Sequence, residues 1–123
     1  MSKTKSNETV SGIQETDDVV QRKMAPELNG MKYCIVRTYS AGVFAGYVKS
    51  HKDKEVEMIE ARRIWYWAGA ASLSQLAMSG TSKPHECKFP EAVSSIILTE
   101  AIEIIECTEA AKNSIDGVPI WKA

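Results

Sequence analysis

From Tyr33 onward the chain runs in short apolar-rich stretches divided by turn-forming residues. YCIVRTYS (33–40) is β-branched and aromatic, Ala41 and Gly42 interrupt it, and VFAGYVKS (43–50) resumes the pattern; this reads as two strands. HKDK (51–54) is a polar turn, and EVEMIEARRIWYW (55–67) continues as a third strand through Trp67. Residues 33–67 are therefore expected to form a three-stranded antiparallel meander, with Gly46 marking a bulge or a close backbone approach. Over residues 70–78 the period changes: Leu73, Leu76 and Ala77 fall at i, i+3, i+4, Ser72, Gln75 and Ser79 take another face, and Gly80 closes a short helix. Residues 81–90 read as a loop or edge segment, and SSIILTE (94–100) and AIEIIEC (101–107) as strands. Thr108 caps a last helix that stops at Asp116 and Gly117, and the ending VPIWKA is expected to pack Trp121 back on the body. The order β-β-β-α-β-β-α predicts an α+β fold: a mainly antiparallel sheet of about five strands covered by two short helices.

Residues 1–30 are rich in Ser, Thr, Lys, Glu and Asp, contain no aromatic residue and show no sustained period. They are expected to be a disordered tail preceding a single domain over residues 31–123. At 123 residues with 44% hydrophobic and 25% charged composition, one core is expected, small enough that burial between subunits would help it. Fifteen basic against sixteen acidic side chains leave a net charge of −1. That balance argues against a protein that coats duplex DNA, which needs a basic stripe. Cys34, Cys87 and Cys107 are far apart and lack metal-ligand spacing, so they read as reduced, buried thiols and no metal or cofactor is expected. No window resembles a signal segment or a membrane span, and a cytoplasmic location is expected.

The unusual stretch is RRIWYWAGAASLSQLA (62–77). As a strand, residues 61–67 would send Arg63, Trp65 and Trp67 to one face and Arg62, Ile64 and Tyr66 to the other. An aromatic ring beside a guanidinium suits a planar ring joined to an anion: the ring stacks a base and Arg62 or Arg63 forks to phosphate oxygens. The small residues around Ala70 and Ser72, with Gln75 one turn on, open the predicted helix and leave N–H groups uncovered for an anion. The competing reading makes the tryptophans core or subunit-interface anchors, the arginines solvated or paired with Glu57 and Glu60, and the small residues a means of close packing.

Little points to catalysis. His51 and His85 sit in no metal or triad motif, Glu100, Glu103 and Glu106 read as a solvated strand face, and adjacent His85, Glu86 and Cys87 diverge in a strand-like loop.

The blocks RTYSAGVFAGYV, EARRIWYWAGAASLSQLAMSG, KPHECKFP and LTEAIEIIECTEAA resemble a family of small proteins encoded by tailed phages and prophages. Over residues 31–123 the chain resembles the first family of Thoeris anti-defence proteins, the sponges by which phages blunt a bacterial immune pathway. The resemblance implies a non-enzymatic protein that assembles through dimers into hexamers. It would sequester a cyclic nucleotide signal of the glycocyclic ADP-ribose type, or a cyclic oligonucleotide, uncleaved in the host cytoplasm. It carries no individual contact residue onto this chain. Two other classes compete: a small phage module that binds nucleic acid or protein, and a small enzyme acting on a nucleotide.

Overall fold

A computed structural model describes residues 21–123. Five strands and two helices follow in the order β1 (Lys32–Thr38), β2 (Val43–Lys52), β3 (Glu55–Arg63), α1 (Leu73–Ser79), β4 (Val93–Leu98), β5 (Ala101–Glu106) and α2 (Glu109–Asp116), with a 3-10 turn at Pro84–Glu86 before β4. All pairings are antiparallel and the spatial order is β4-β3-β2-β1-β5, the α+β architecture expected from the pattern.

β4 and β5 lie at opposite edges of this sheet yet are joined by residues 99–100 alone. A flat sheet would hold those edges about 19 Å apart at roughly 4.8 Å per strand, whereas the chain from Leu98 to Ala101 reaches only about 11 Å. The sheet must bend. Ala101 pairs with Thr38, beside the start of β2, and its N–H donates to the Lys54 carbonyl at 2.9 Å, beyond the end of β2. A straight ten-residue strand would separate those points by about 33 Å, so the β2/β3 hairpin curls until its tip meets the start of β5.

Two offsets in register accompany the curl. Between Ala45 and Tyr47 of β2 the partner strand carries one extra residue, with Glu60 at φ +51°, and between Val48 and Ser50 the extra residue lies in β2. Gly46 stands opposite the first bulge, where a Cβ would lie 2.8 Å from the Ala61 Cα and 2.9 Å from the Glu60 carbonyl oxygen. The glycine is needed for close approach, as its position in the pattern predicted.

The curled sheet buries two clusters. Its inner face holds Cys34, Val36, Phe44, Val56, Met58, Ala61, Leu98 and Ala101. Its outer face packs Tyr33, Ile35, Ala45 and Ile64 against Leu76 and Ala77 of α1 and Ala111 and Ile115 of α2. The helices are tied at their ends: Ser72 Oγ accepts from Gln75 N at 3.2 Å, and Thr108 Oγ1 accepts from Ala111 N at 3.0 Å while donating to the Met78 carbonyl at 2.8 Å.

The expected boundary at residue 31 needs correction for the described part of the tail; residues 1–20 lie outside the described residues. Ala25 is buried and its N–H donates to the Cys107 carbonyl at 3.0 Å, while the Lys23 carbonyl accepts from Glu109 N at 2.9 Å. Lys23 also pairs with Glu109 at 3.2 Å. These bonds serve the end of β5 and the first turn of α2, which their own elements leave short of partners.

Candidate functional site

The third strand ends at Arg63, not at Trp67. Its neighbour β2 begins at Val43, and after Ile64 N donates to the Val43 carbonyl at 2.7 Å no partner strand is left on that side. The chain then changes partner. Trp65 N and Tyr66 N both donate to the Lys88 carbonyl, at 3.1 and 3.3 Å, and Lys88 N donates back to the Tyr66 carbonyl at 2.8 Å. A second short connection follows, Phe89 pairing parallel with Ile120 and Trp121 N donating to the Phe89 carbonyl at 3.0 Å. The end of the chain is thereby held against residues 65–66 through residues 88–89.

This arrangement brings Trp65 beside Trp121. Their rings lie 6.3 Å apart between centroids and are inclined by 11°, in a stacked arrangement, yet Trp65 is 64% and Trp121 44% exposed. The Lys88 ammonium is 5.6 Å from the centroid of the Trp121 ring, within cation–π reach. Pro90, Trp121, Lys122 and Ala123 line an open cavity of about 290 Å³. Tyr66 and Ile120 add two more exposed apolar side chains. The expected return of Trp121 to the body is observed. Lys88 and Trp121 were absent from the sequence-level site because their link to Trp65 runs through two short backbone bridges, which leave no period to read.

The other expected site residues do not gather here. The Glu60 bulge reverses the alternation that puts Val56 and Met58 on the inner face, so Arg62 and Ile64 turn to the helix side and Arg63 to the other. Arg62 is 9% exposed. Its Nε donates to the Pro90 carbonyl at 2.9 Å, its Nη1 to Ile115 at 2.8 Å, and its Nη2 to Phe89, Val118 and Pro119 at 3.0, 2.7 and 3.1 Å. The fork expected on phosphate is spent on backbone carbonyls, so Arg62 is a clamp rather than a ligand contact; Glu57, its expected alternative partner, lies by Lys49 instead. A cation at the end of α2 also opposes the negative end of the helix dipole. Desolvation lowers the Arg62 pKa, opposed by Tyr33 and Asp116.

Arg63 sits with its Cζ 4.5 Å from the Phe44 ring centroid and Nη1 3.4 Å from the Ala41 carbonyl. Trp67 is half-buried against the helix-side core, and its Nε1 donates to the Ala70 carbonyl at 3.2 Å. The expected anion site at the helix start is occupied by the chain itself: Gln75 Oε1 accepts from Ala71 N at 2.6 Å and Ser72 Oγ accepts from Gln75 N. The helix begins at Leu73, not at Ala70. Trp67, Ala70, Ser72 and Gln75 thus form one closing unit for α1, in line with the packing alternative.

The remaining chemistry-bearing groups are in structural roles. Glu103 pairs with Arg37 at 3.1 Å, Glu106 with Lys32 at 3.7 Å, and Glu100 accepts from Ser40 Oγ at 2.6 Å. The three cysteines are buried and free; burial pushes the Cys34 thiol up to about 11 and Cys107 up to about 12, and it raises Tyr33 strongly as well. The hydrogen bond to Asp116 raises Lys112. Among the described residues no three His, Cys, Asp or Glu side chains form a metal-holding group, and no helix is long and apolar enough to cross a membrane.

A family described as a domain of unknown function (DUF6948) matches residues 31–115, and the chain belongs to that family. No curated protein and no solved structure matches it. The matched span holds Trp65 and Lys88 but ends before Trp121.

Proposed function

We propose that this chain is a binding protein without chemistry of its own, and that its ligand is a small planar anion of the nucleotide class held at Trp65, Trp121 and Lys88. The observation that carries this reading is the parallel pair of solvent-facing indoles with an ammonium beside one of them. Large rings left this open, 64% and 44% exposed, offer π faces that any base can stack on. Lys88 stands against the Trp121 ring, and Lys122 lines with Trp121 a cavity of about 290 Å³, just under the roughly 300–1,000 Å³ of ligand sites. The site residues of this reading are Trp65, retained from the sequence, with Lys88 and Trp121 added and Arg62 supporting them from behind.

The resemblance to the Thoeris anti-defence sponges gives the reading its biological form. A phage protein would capture a cyclic nucleotide immune signal, of the glycocyclic ADP-ribose type or a cyclic oligonucleotide, and hold it intact in the host cytoplasm. A second reading rests on Tyr66 and Ile120, exposed apolar side chains that follow Trp65 and precede Trp121 in the chain. Exposed side chains of that kind are also protein-binding hot spots.

Calorimetric titration separates the two readings. The full chain is titrated with glycocyclic ADP-ribose, cyclic dinucleotides and ADP, alongside Trp65→Ala and Trp121→Ala. Loss of one stacking ring is expected to cost about 1–3 kcal/mol, which is roughly five- to 150-fold in affinity, with the melting temperature of each variant little changed because both rings are exposed. Ligand recovered unaltered after heating the complex is the expected sign of sequestration. Heatless titrations across the panel would remove the nucleotide reading and leave the protein-binding one.

A further inference from the structure

Among the described residues β5 has β1 as its one neighbouring strand. Cys107 N donates to the Tyr33 carbonyl, and Ile35 and Arg37 stand opposite Ile105 and Glu103. Glu103 and Ile105 therefore turn their backbone groups toward β1, while Ile102, Ile104 and Glu106 turn theirs to the open side. Two cavities accompany this strand. One of about 290 Å³ is lined by His51, Asp53 and residues 101–104, and one of about 280 Å³ has Lys32, Val48, His51 and Ile104 in its lining. His51 and Ile104 belong to both, so the cavities adjoin as one groove, and each is about the size of the smallest ligand sites. Consecutive residues of a strand point to opposite faces. A cavity that touches all of 101–104 therefore runs along the edge, and β1 already holds the other edge. The facing wall is the tip of the β2/β3 hairpin, tied to β5 where Ala101 N donates to the Lys54 carbonyl at 2.9 Å. His51 is fixed in that wall by its Nε2, which donates to the Asp53 carbonyl at 2.8 Å.

We infer that this groove binds a short apolar peptide with free ends, laid parallel beside β5 with its ammonium at Asp53 and Glu103 and its carboxylate at Lys32. The class follows from three features of the groove. Its floor is a strand edge, and a row of backbone donors and acceptors is matched best by another extended backbone. Ile102, Ile104 and Val48 make its middle apolar. Its two cavities carry opposite charge: Asp53 and Glu103 line the first, and Lys32 lines the second. Asp53 has no ion pair among the described residues, and Lys52 and Lys54, which flank it in the turn, line neither cavity. Lys32 is held only by Glu106 at 3.7 Å, and both side chains are open to solvent. From Ala101 to Glu106 β5 covers about 17 Å at roughly 3.4 Å per residue, which is room for four or five residues of an extended chain. A nucleotide dianion would meet Asp53 and Glu103 with like charge, and an internal segment of a protein would bring neither end group. The groove shares no lining residue with the cavity at Trp121, and its reading stands or falls separately from the nucleotide site.

The test is a titration of the isotope-labelled full chain with the pentapeptide Ala-Val-Ala-Val-Ala, followed by nuclear magnetic resonance at the backbone amides. The amides of Ile102, Ile104 and Glu106 are expected to shift together and to saturate. Acetylating the peptide's amino end should weaken binding about fivefold, the most that an exposed ion pair contributes. Asp53→Asn should weaken the free peptide by the same factor and leave the acetylated one as it was. Amidating the carboxyl end and Lys32→Gln form the matching pair at the other end. Both positions are exposed, so each variant is expected to keep the parent's melting temperature. Absence of shifts at these amides overturns the inference, as do shifts centred on Trp65 and Trp121. A peptide capped at both ends that binds as tightly as the free one overturns it too, since the edge alone would then be the attraction. So does a variant that weakens free and capped peptides alike, which would give Asp53 or Lys32 a structural role only.

Discussion

Replacing Arg62 by methionine should unfold more of this protein than removing either exposed tryptophan. The guanidinium reaches five carbonyls, and its contacts with Ile115, Phe89 and Val118 are buried, whereas those with Pro90 and Pro119 are partly open. A carbonyl left buried without a donor costs about 1–3 kcal/mol, and a hydrogen bond from a charged donor contributes about 1.5–3 kcal/mol net. The two outer carbonyls can take water in the variant, and burying methionine spares the cost of desolvating a cation. The net loss is therefore set by the three inner carbonyls, at about 4 kcal/mol, near the top of what single substitutions do. For a domain of this size each kcal/mol moves the melting temperature by roughly 4–8 °C, which gives a fall of about 15–30 °C. Arg62→Lys should lose about half as much, because an ammonium keeps the charge but lacks the planar fan of donors. Thermal melts and urea titrations of both variants measure this, with an unchanged urea slope showing that native stability alone was altered. Melting temperatures of both variants within about 4 °C of the parent, less than 1 kcal/mol, would refute the clamp.

Alkaline pH should weaken the fold. Burial raises Cys34 to about 11 and Cys107 to about 12, from an ordinary value of 9.0, so between these limits the unfolded chain has released protons that the folded chain keeps. Their contribution is full below about pH 9 and is lost as the pH rises through 11 to 12; melts of Cys34→Ala and Cys107→Ala should show a shallower alkaline fall than the parent. Gly46→Ala should cost about 1–3 kcal/mol through overpacking, since its Cβ would meet backbone atoms of Ala61 and Glu60, and a melt equal to the parent's would contradict the close approach. A chain beginning at Met31 should melt lower than one beginning at Arg22, because it deprives the Cys107 carbonyl and Glu109 N of their partners, at about 1–3 kcal/mol for each group left buried; equal melts would show those bonds to be replaceable by water.

Alone, the sequence determined whatever depends on neighbours a few residues apart. The order of elements, the cap at Thr108, the stop at Gly80 and the constraint at Gly46 all follow from local period, capping chemistry and the room a missing Cβ leaves. Tertiary structure decided where the third strand ends, because that depends on β2 beginning at Val43, some twenty positions earlier in the chain. It also fixed the role of Arg62, whose acceptors lie 27 to 57 residues away. In the string RRIWYW the two arginines and two tryptophans look equivalent, since alternation alone assigns faces. One bulge at Glu60 and one change of hydrogen-bonding partner after Ile64 then separated them into a buried clamp, a sheet-face cation, an open stacking ring and a half-buried ring packed on the helix-side core. The half of the aromatic pair supplied by Trp121 was out of reach of any local pattern, because a contact between residues more than fifty positions apart exists only once the chain between them has folded.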